Sequence, residues 1–157
     1  MWVADLAHSE HERLGYRISS VTSEMDVDAV HAYLLRSYWA EAIPRSVVAR
    51  AIEGSLCFGL FRGPAQVGFA RVVTDRATFA YLCDVYLLEE HRGRGLAKWL
   101  MDAVMAHPDL QGLRRFLLGT RDAHGLYEKL GFSPLARPEI FMEINRPGLY
   151  KGGSSSA

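Results

Sequence analysis

A charged turn that contains two glycines lies in the middle of the chain, between an apolar run and an amphipathic one. The apolar run includes Val85-Tyr86-Leu87, and the turn that follows contains Gly93 and Gly95. Apolar residues then recur at helical spacing, which predicts that a helix begins at this turn. The first N–H groups of a helix lack intrahelical acceptors and lie at the positive end of its dipole, so they suit an anion such as a phosphate. Glycine allows a close approach to the backbone, and three basic residues add mobile positive charge: Arg92, Arg94 and Lys98.

This turn matches neither of two well-known phosphate loops. A P-loop needs Gly-x-x-x-x-Gly-Lys-Ser/Thr and a dinucleotide fold needs Gly-x-Gly-x-x-Gly, and neither string is present. The turn contains Arg92-x-x-Gly95-x-Ala97. This string resembles the pyrophosphate motif Arg/Gln-x-x-Gly-x-Gly/Ala of the GCN5-related N-acetyltransferases (GNAT), and the resemblance runs from about Tyr16 to about Ile144. A surface strand–turn–helix with solvated arginines is the alternative interpretation.

A second string lies some thirty residues downstream. Leu126-Tyr127-Glu-Lys-Leu-Gly131-Phe132 is similar to the late Tyr-x-x-x-Gly-Phe element of the same family, although by itself it is an amphipathic helix ended by glycine. The two motifs together imply that acetyl-CoA is the co-substrate. The cofactor-binding positions that the resemblance implies are Val85, Tyr86 and Leu87 through their backbone, the turn residues Arg92, Gly93, Arg94, Gly95, Leu96, Ala97 and Lys98, and Thr120, which stands where many relatives have Asn.

Acetyl transfer from a thioester to an amine needs a deprotonated amine, a polarised carbonyl and a proton for the leaving thiolate. The resemblance implies that a backbone N–H of the Val85–Leu87 strand polarises the carbonyl and that Tyr127 is the general acid. A phenol titrates near pH ~10, so it keeps its proton at neutral pH. A structural tyrosine, or one that only orients the sulfur, is the alternative role for Tyr127.

The general base is open at this stage. Asp84 immediately precedes the strand residues that would hold the thioester, so its carboxylate is a candidate that could act directly or through water. An ion pair with Arg71 on the neighbouring strand is an equally good interpretation. His124, Glu41 and Tyr81 are other candidates, and a water chain without a dedicated base is a further one.

Acceptor specificity in this family comes from the early helices and the loop between them. In this chain that loop contains Tyr38-Trp39-Ala40-Glu41. Paired aromatic residues can line a pocket or pack as a lid on the core, and Glu41 could attract a cationic amine. The predicted substrate-binding residues are Tyr38, Trp39, Glu41, Arg71 and Tyr81.

Composition narrows the class of protein further. The chain has 157 residues and equal numbers of basic and acidic residues, 18 each, which argues against a nucleic-acid-binding protein with a general basic surface. No apolar run approaches the ~20 residues of a membrane span, and the first residues lack a signal-peptide pattern. Cys57 and Cys83 lie in apolar runs and are expected to be reduced core thiols. No zinc-ligand spacing is present, so we expect no metal and a cytoplasmic location.

The elements that would position the site follow an order that is typical of the family. The fold class predicted is α/β (α+β): a single domain over 16–144 with a mixed, mostly antiparallel sheet and helices on both faces. Residues 1–15 are predicted to be an arm and 145–157 a flexible tail. The predicted elements are a strand from Tyr16, a helix capped by Ser23 or Asp26, a helix after Pro44, a three-stranded meander over 56–87, the helix after the turn, a strand over 114–120 parallel to the third meander strand, a helix capped by Asp122, and a closing strand over 139–144.

The sequence thus predicts an acetyl-CoA-dependent N-acetyltransferase for a primary amine of a small molecule or peptide. The alternative is a catalytically silent module of the same fold that binds CoA as a sensor, and a third is a site for another phosphate ligand such as a nucleotide. Because dimers are common among relatives, a homodimer is allowed.

Overall fold

The computed structural model describes residues 9–152, and a five-stranded sheet forms its centre. The strands lie in chain order across the sheet. The first four are joined as antiparallel neighbours, and the fifth runs parallel to the fourth. The predicted fold class, a mixed and mostly antiparallel sheet, is confirmed. The strands are β1 Tyr16–Ser19, β2 Leu56–Arg62, β3 Ala65–Thr74, β4 Phe79–Leu87 and β5 Arg115–Leu118.

Helices cover both faces of the sheet. Successive side chains of β2 therefore pack in two different apolar clusters, one on each face. Phe58 packs with residues of the third and fourth helices, whereas Cys57 packs with residues of the first and second. The helices are α1 Val27–Leu34, α2 Arg45–Glu53, α3 Leu96–Ala106 and α4 His124–Glu128. Single 3₁₀ turns lie at Thr22–Glu24, Glu89–His91, Pro108–Leu110 and Pro138–Ile140.

The helix starts follow local side-chain chemistry, with one correction. Asp26 caps α1, since its carboxylate accepts a hydrogen bond of 3.0 Å from the N–H of Ala29. The predicted cap of α4 by Asp122 is wrong. The hydroxyl of Thr120 accepts the N–H of Ala123 at 3.1 Å instead, and that residue precedes a helix of only five residues.

Strand β4 separates from β5 halfway along its length. Only Phe79–Leu82 pairs with β5, so the following stretch up to Leu87 has no strand on that side. On its other side the register with β3 shifts between Phe69 and Arg71, where Asp84 and Val85 of β4 lie opposite a single residue of β3. Asp84 has a φ of 53°, which is unusual for a residue other than glycine. The separation and the bulge open a gap at the end of β4.

The predicted closing strand over 139–144 is wrong. The structure has a 3₁₀ turn at Pro138–Ile140 followed by chain that belongs to no helix or strand, and no strand besides β4 pairs with β5 within residues 9–152. The guanidinium carbon of Arg115 lies 4.7 Å from the ring centre of Phe141. Beyond that contact Met142 is 98% exposed, so its side chain is in solvent and does not pack on the described part of the chain.

Both cysteines are free, and burial raises the pKa of each thiol to about 12. At the N-terminus, residues 9–13 are helical and His11 stacks on Trp99 of α3, so part of the predicted arm packs on the domain. Residues 1–8 of that arm and 153–157 of the predicted tail lie outside the described residues. None of the helices described between residues 9 and 152 is both long enough and apolar enough to span a bilayer.

Candidate active site

The gap beside β4 opens into a cleft of about 690 Å³. Residues of β4, of the loop after α1 and of the segment between β5 and α4 form its walls. The cleft therefore brings together several residues that the sequence singled out from distant parts of the chain: Tyr38, Trp39, Tyr81, Asp84, Val85, Arg92, Thr120 and Tyr127.

The turn before α3 leaves backbone donors open. Gly93 and Gly95 both have a φ of 78°, a conformation that glycine adopts without strain. Within residues 9–152, none of the N–H groups of 93–98 donates a hydrogen bond to another backbone or side-chain atom. A Cβ on Gly93 would meet nothing within 4 Å, and one on Gly95 would come no closer than 3.8 Å, to His11. These donors lie at the N-terminus of an eleven-residue helix, so the turn suits a diphosphate.

The basic residues of the turn are more constrained than the sequence suggested. Arg92 donates through Nε to the carbonyl of Leu87 at 2.9 Å and through Nη2 to the hydroxyl of Tyr33 at 3.2 Å. Its guanidinium therefore ties the turn to the end of β4, and the expectation of mobile charge is wrong for this residue. Lys98 forms an ion pair of 2.8 Å with Asp102 one helical turn on, but its side chain is 66% exposed.

The predicted cofactor-binding residues of β4 face the core with their side chains. Tyr86 and Leu87 are buried, and so is Leu96 at the start of α3. Only their backbone groups are therefore available to a ligand. The ring of Tyr86 stacks on Tyr33 with 3.9 Å between centroids. Its hydroxyl is buried without a hydrogen-bond partner among the described residues, and burial raises its pKa.

Tyr127 of α4 lines the cleft and is 9% exposed. Burial, and to a lesser extent neighbouring Tyr38, raises the pKa of the Tyr127 phenol. The backbone carbonyl of Tyr127 accepts the N–H of Phe132 at 3.1 Å, and the two rings meet edge to face. The Gly131-Phe132 end of the motif therefore holds Tyr127 in place. Because its pKa is raised, the phenol stays protonated at neutral pH.

Asp84 forms the ion pair with Arg71 that the sequence left open. One carboxylate oxygen accepts from Arg71 Nε at 2.8 Å and the other accepts from the indole N–H of Trp39 at 2.9 Å. Arg71 also donates to the hydroxyl of Ser55 at 3.0 Å. The side chain of Asp84 is only 10% exposed, so this network attaches the loop after α1 to the bulge of β4.

The other predicted substrate and base residues lie in three places. The rings of Tyr38, Trp39 and Tyr81 line the cleft. Glu41 does not line it, because its carboxylate pairs with Lys151 Nζ at 2.9 Å. His124 lines a different cleft, which lies along β5. Burial raises the pKa of the Tyr81 phenol, so this group is a poor base at neutral pH.

Among the residues that line the cleft and that sequence reasoning missed, Tyr33 and Arg121 contact its predicted residues or neighbouring rings. Tyr33 stacks on Tyr86 and accepts from Arg92, and the guanidinium carbon of Arg121 lies 3.8 Å from the ring centre of Tyr38. In the sequence Tyr33 lies next to the apolar positions of α1. That position predicts packing on the core and does not indicate a cleft. Residues 9–152 contain no group of three or more His, Cys, Asp or Glu side chains that could hold a metal ion.

Comparison with known proteins agrees with this geometry. The chain matches the model of the acetyltransferase (GNAT) family over residues 16–132. The chain therefore belongs to the GNAT acetyltransferase family, whose members use acetyl-CoA as the acetyl donor. The predicted resemblance is confirmed.

Individual relatives support the same class. A protein of Gibberella zeae named "Putative acetyltransferase FG08082" is 36% identical over 137 residues, which are 73% of this chain and 76% of that protein. The crystal structure of a GNAT-family protein from Xanthomonas campestris pv. campestris is 57% identical, with a TM-score of 0.85, and the match covers 86% of this chain and 96% of that one. A Clostridium acetobutylicum structure solved with acetyl-CoA shares the fold, with a TM-score of 0.62 at 15% identity over 83% of this chain and 94% of that one.

Proposed function

We propose that this protein is an acetyl-CoA-dependent N-acetyltransferase that acts on a primary amine of a small molecule or peptide. The proposal depends on the unpaired backbone N–H groups of residues 93–98 before α3. They lie next to the unpaired end of β4 and to the cleft that contains Tyr127. A diphosphate on the turn would direct the rest of the ligand along β4 and into this cleft.

The residues fit the cofactor through their backbone more than through their side chains. The N–H groups of the turn would bind the diphosphate at the positive end of the α3 dipole, and Lys98 can swing its exposed ammonium toward it. The free side of β4 between Cys83 and Leu87 would pair with the amide-bearing arm of CoA as an added strand would. Thr120 lines the same cleft on the opposite side.

When bound, acetyl-CoA supplies an acetyl group activated as a thioester. A backbone N–H at the free end of β4 would donate to the carbonyl oxygen, where negative charge develops during transfer. The phenol of Tyr127 keeps its proton at neutral pH because burial raises its pKa. It would give this proton to the leaving sulfur.

Asp84 is the residue that we propose to receive the amine proton. The described residues that line the cleft include two carboxylates, Asp84 and Asp122, and the latter is exposed at the rim. Both oxygens of Asp84 already accept one hydrogen bond each, from Arg71 and Trp39, but a carboxylate oxygen has a second lone pair. A water bound there can pass the proton from the amine to Asp84.

The acceptor side of the cleft is aromatic. Besides Tyr127, four rings line the cleft, and aromatic faces attract a cation within about 6 Å of the ring centre. An amine arrives mostly as an ammonium ion, so these rings would bind it before it loses its proton. The four residues are Tyr33, Tyr38, Trp39 and Tyr81.

The test is thiol release from acetyl-CoA in the presence of a panel of primary amines, each paired with its N,N-dimethyl analogue, which cannot form a stable amide. We expect amine-dependent thiol release with at least one primary amine and none with its analogue. Acetyl-CoA binding without turnover on any amine would favour a silent binding module. Thermal stabilisation by ATP but not by acetyl-CoA would favour a nucleotide site.

A further inference from the structure

The cleft beside β4 contains more positive charge than its own carboxylates compensate. The acidic and basic side chains that line it are Asp84, Arg92, Arg121 and Asp122. Asp84 is already paired with Arg71 at 2.8 Å. In the described part of the chain neither Arg92 nor Arg121 forms an ion pair. Two guanidinium groups therefore share the cleft with one carboxylate that is not in an ion pair, Asp122 at the rim, so the cleft favours a ligand with negative charge.

The two arginines lie on different sides of the cleft. Arg92 donates to the carbonyl of Leu87 and to the hydroxyl of Tyr33, at the end of β4 next to the diphosphate turn. Its charge therefore lies on the side that we assign to acetyl-CoA. Arg121 belongs to the segment between β5 and α4, and its guanidinium carbon lies 3.8 Å from the ring centre of Tyr38, on the loop after α1. Arg121 is therefore the cation on the acceptor side.

Stacking on Tyr38 orients the guanidinium of Arg121 and leaves its donors available. Among the contacts of the described residues, this guanidinium makes the ring contact and donates no hydrogen bond. A guanidinium that lies over a ring keeps its N–H groups at its edge, in a planar fork that matches the two oxygens of a carboxylate. Because the ring already restricts the side chain, a carboxylate that binds to the fork costs less side-chain entropy.

Ring contacts connect Arg121 to the proposed general base. The rings of Tyr38 and Trp39 meet edge to face, with 5.0 Å between centroids. The indole N–H of Trp39 donates to Asp84 at 2.9 Å. Arg121 and Asp84 therefore lie at the two ends of one aromatic wall. A ligand that lies along this wall would place its amine near Asp84 and its other end near Arg121.

We propose that the acceptor is an amine that also carries a carboxylate, as a small amino acid does, and that Arg121 binds this carboxylate. The inference rests on the proposed acetyl transfer and adds the second functional group of the acceptor. In the transfer the acetyl C–S bond breaks, a C–N bond forms and the amine loses a proton, while the carboxylate is unchanged. The product is an N-acetyl amino acid. A zwitterionic acceptor fits both parts of the wall, since its ammonium suits the rings and its carboxylate suits Arg121.

The first test uses the wild-type chain and pairs of acceptors. The acids are glycine, β-alanine and their longer straight-chain homologues, each compared with its primary amide, which has the same shape and no negative charge. Thiol release from acetyl-CoA gives kcat/KM, expressed per unprotonated amine so that differences in amine pKa cancel. We expect at least one acid to exceed its amide by roughly tenfold or more, the range for a hydrogen bond to a charged group.

The second test changes the arginine. Arg121→Gln should raise the KM for the preferred acid by roughly tenfold, with kcat, the KM for the amide and the KM for acetyl-CoA unchanged. Arg121→Lys keeps the charge without the fork, so its KM for the acid should be intermediate. The matched control is Arg36→Gln. Arg36 also lies over a cleft ring, 6.0 Å from the centre of Tyr33, but does not line the cleft, so both KM values should stay the same.

The possible failures are distinguishable. Amides that are acetylated as fast as their acids would overturn the assignment of a carboxylate and leave the proposed N-acetyltransferase standing. A KM that rises equally for acid and amide in Arg121→Gln would assign this residue to the positioning of Tyr38, and a raised KM for acetyl-CoA would assign it to the cofactor. Either result would overturn the inference. Absence of thiol release with every acid, amide and simple amine would overturn the proposed function as well.

Discussion

The indole N–H of Trp39 donates to Asp84 over 2.9 Å, across 45 positions of sequence. This bond links the aromatic loop after α1 to the bulge of β4, where the backbone has a positive φ. Arg71 donates to the other carboxylate oxygen, so Asp84 ties this loop to both β3 and β4. In the reaction that we propose, the position of the acceptor relative to the acetyl group would therefore depend on Asp84.

We expect Asp84→Asn to lower kcat by roughly 10²-fold or more, the range lost with a general base, with little change in the acetyl-CoA dissociation constant. The amide keeps an acceptor for Trp39, so the loop should stay attached. Asp122→Asn, which changes another carboxylate of the same cleft, is the control and should leave kcat unchanged. A kcat in Asp84→Asn close to that of the wild type would leave this residue with a positioning role only.

Gly95→Ala should abolish acetyl-CoA binding, because it adds a Cβ beside the N–H groups that would receive the diphosphate, in a space that only His11 approaches within 4 Å. A left-handed backbone costs an alanine about 1–2 kcal/mol, so the free energy of unfolding should fall by that amount. Gly112→Ala has a similar φ of 71° with nothing within 4 Å of its Cβ, and should lose the same stability without losing binding. Calorimetric titration measures binding. Equal affinities of the two variants for acetyl-CoA would contradict the proposed diphosphate site.

Tyr127→Phe should lower kcat by roughly 10²-fold with little change in the acetyl-CoA dissociation constant, since only the proton donor is removed. Below the raised pKa of the phenol the wild type keeps its proton, so its activity should decline only at strongly alkaline pH. Single-turnover rates across pH check this. An unchanged kcat in the variant would assign Tyr127 to packing against Phe132.

Tyr86→Phe should stabilise the protein by about 1 kcal/mol, because the buried hydroxyl has no partner among the described residues and its desolvation is uncompensated. The matched control is Tyr16→Phe, which breaks a 2.7 Å hydrogen bond with His91 and should destabilise the fold by about the same amount.

Tyr86 also sets an alkaline limit on stability. Burial raises its pKa in the folded state above the ~10 of an unfolded tyrosine. Its contribution to stability is therefore complete below pH ~10 and is lost as the pH rises through the folded-state pKa. Urea unfolding at rising pH should show a smaller loss in Tyr86→Phe than in the wild type. Parallel losses in the two proteins would mean that Tyr86 does not control this limit.

The parts of the fold that depend on neighbours in sequence were predictable. The turn before α3 follows from the glycines and the helical period after them, and α1 is capped by Asp26, one of the two caps that the sequence offered. Asp122 failed as a cap because α4 begins one residue later than that cap requires: Ala123 stands at the N-cap position, and the hydroxyl of Thr120 accepts its N–H. Local sequence shows that both side chains are competent, but it does not show which one the backbone presents.

The parts that depend on distant partners were not predictable. Residues 139–144 have the pattern of a strand, and a strand pattern does not specify which edge it pairs with or in which chain. Tyr33 and Arg121 lie at the cleft because they contact rings on other elements, Tyr86 and Tyr38 respectively. Arg92 was predicted at the correct position but with a different contact, since its partner is a carbonyl five residues back along the chain.

Burial of the two cysteines has a practical consequence for assays. Colourimetric disulfide reagents react with thiolates, and a pKa of about 12 leaves Cys57 and Cys83 almost wholly protonated at neutral pH. An ordinary thiol, with a pKa near ~8.5, is far more reactive under the same conditions. In such an assay the colour would therefore measure the thiol released from acetyl-CoA, with little background from the enzyme itself.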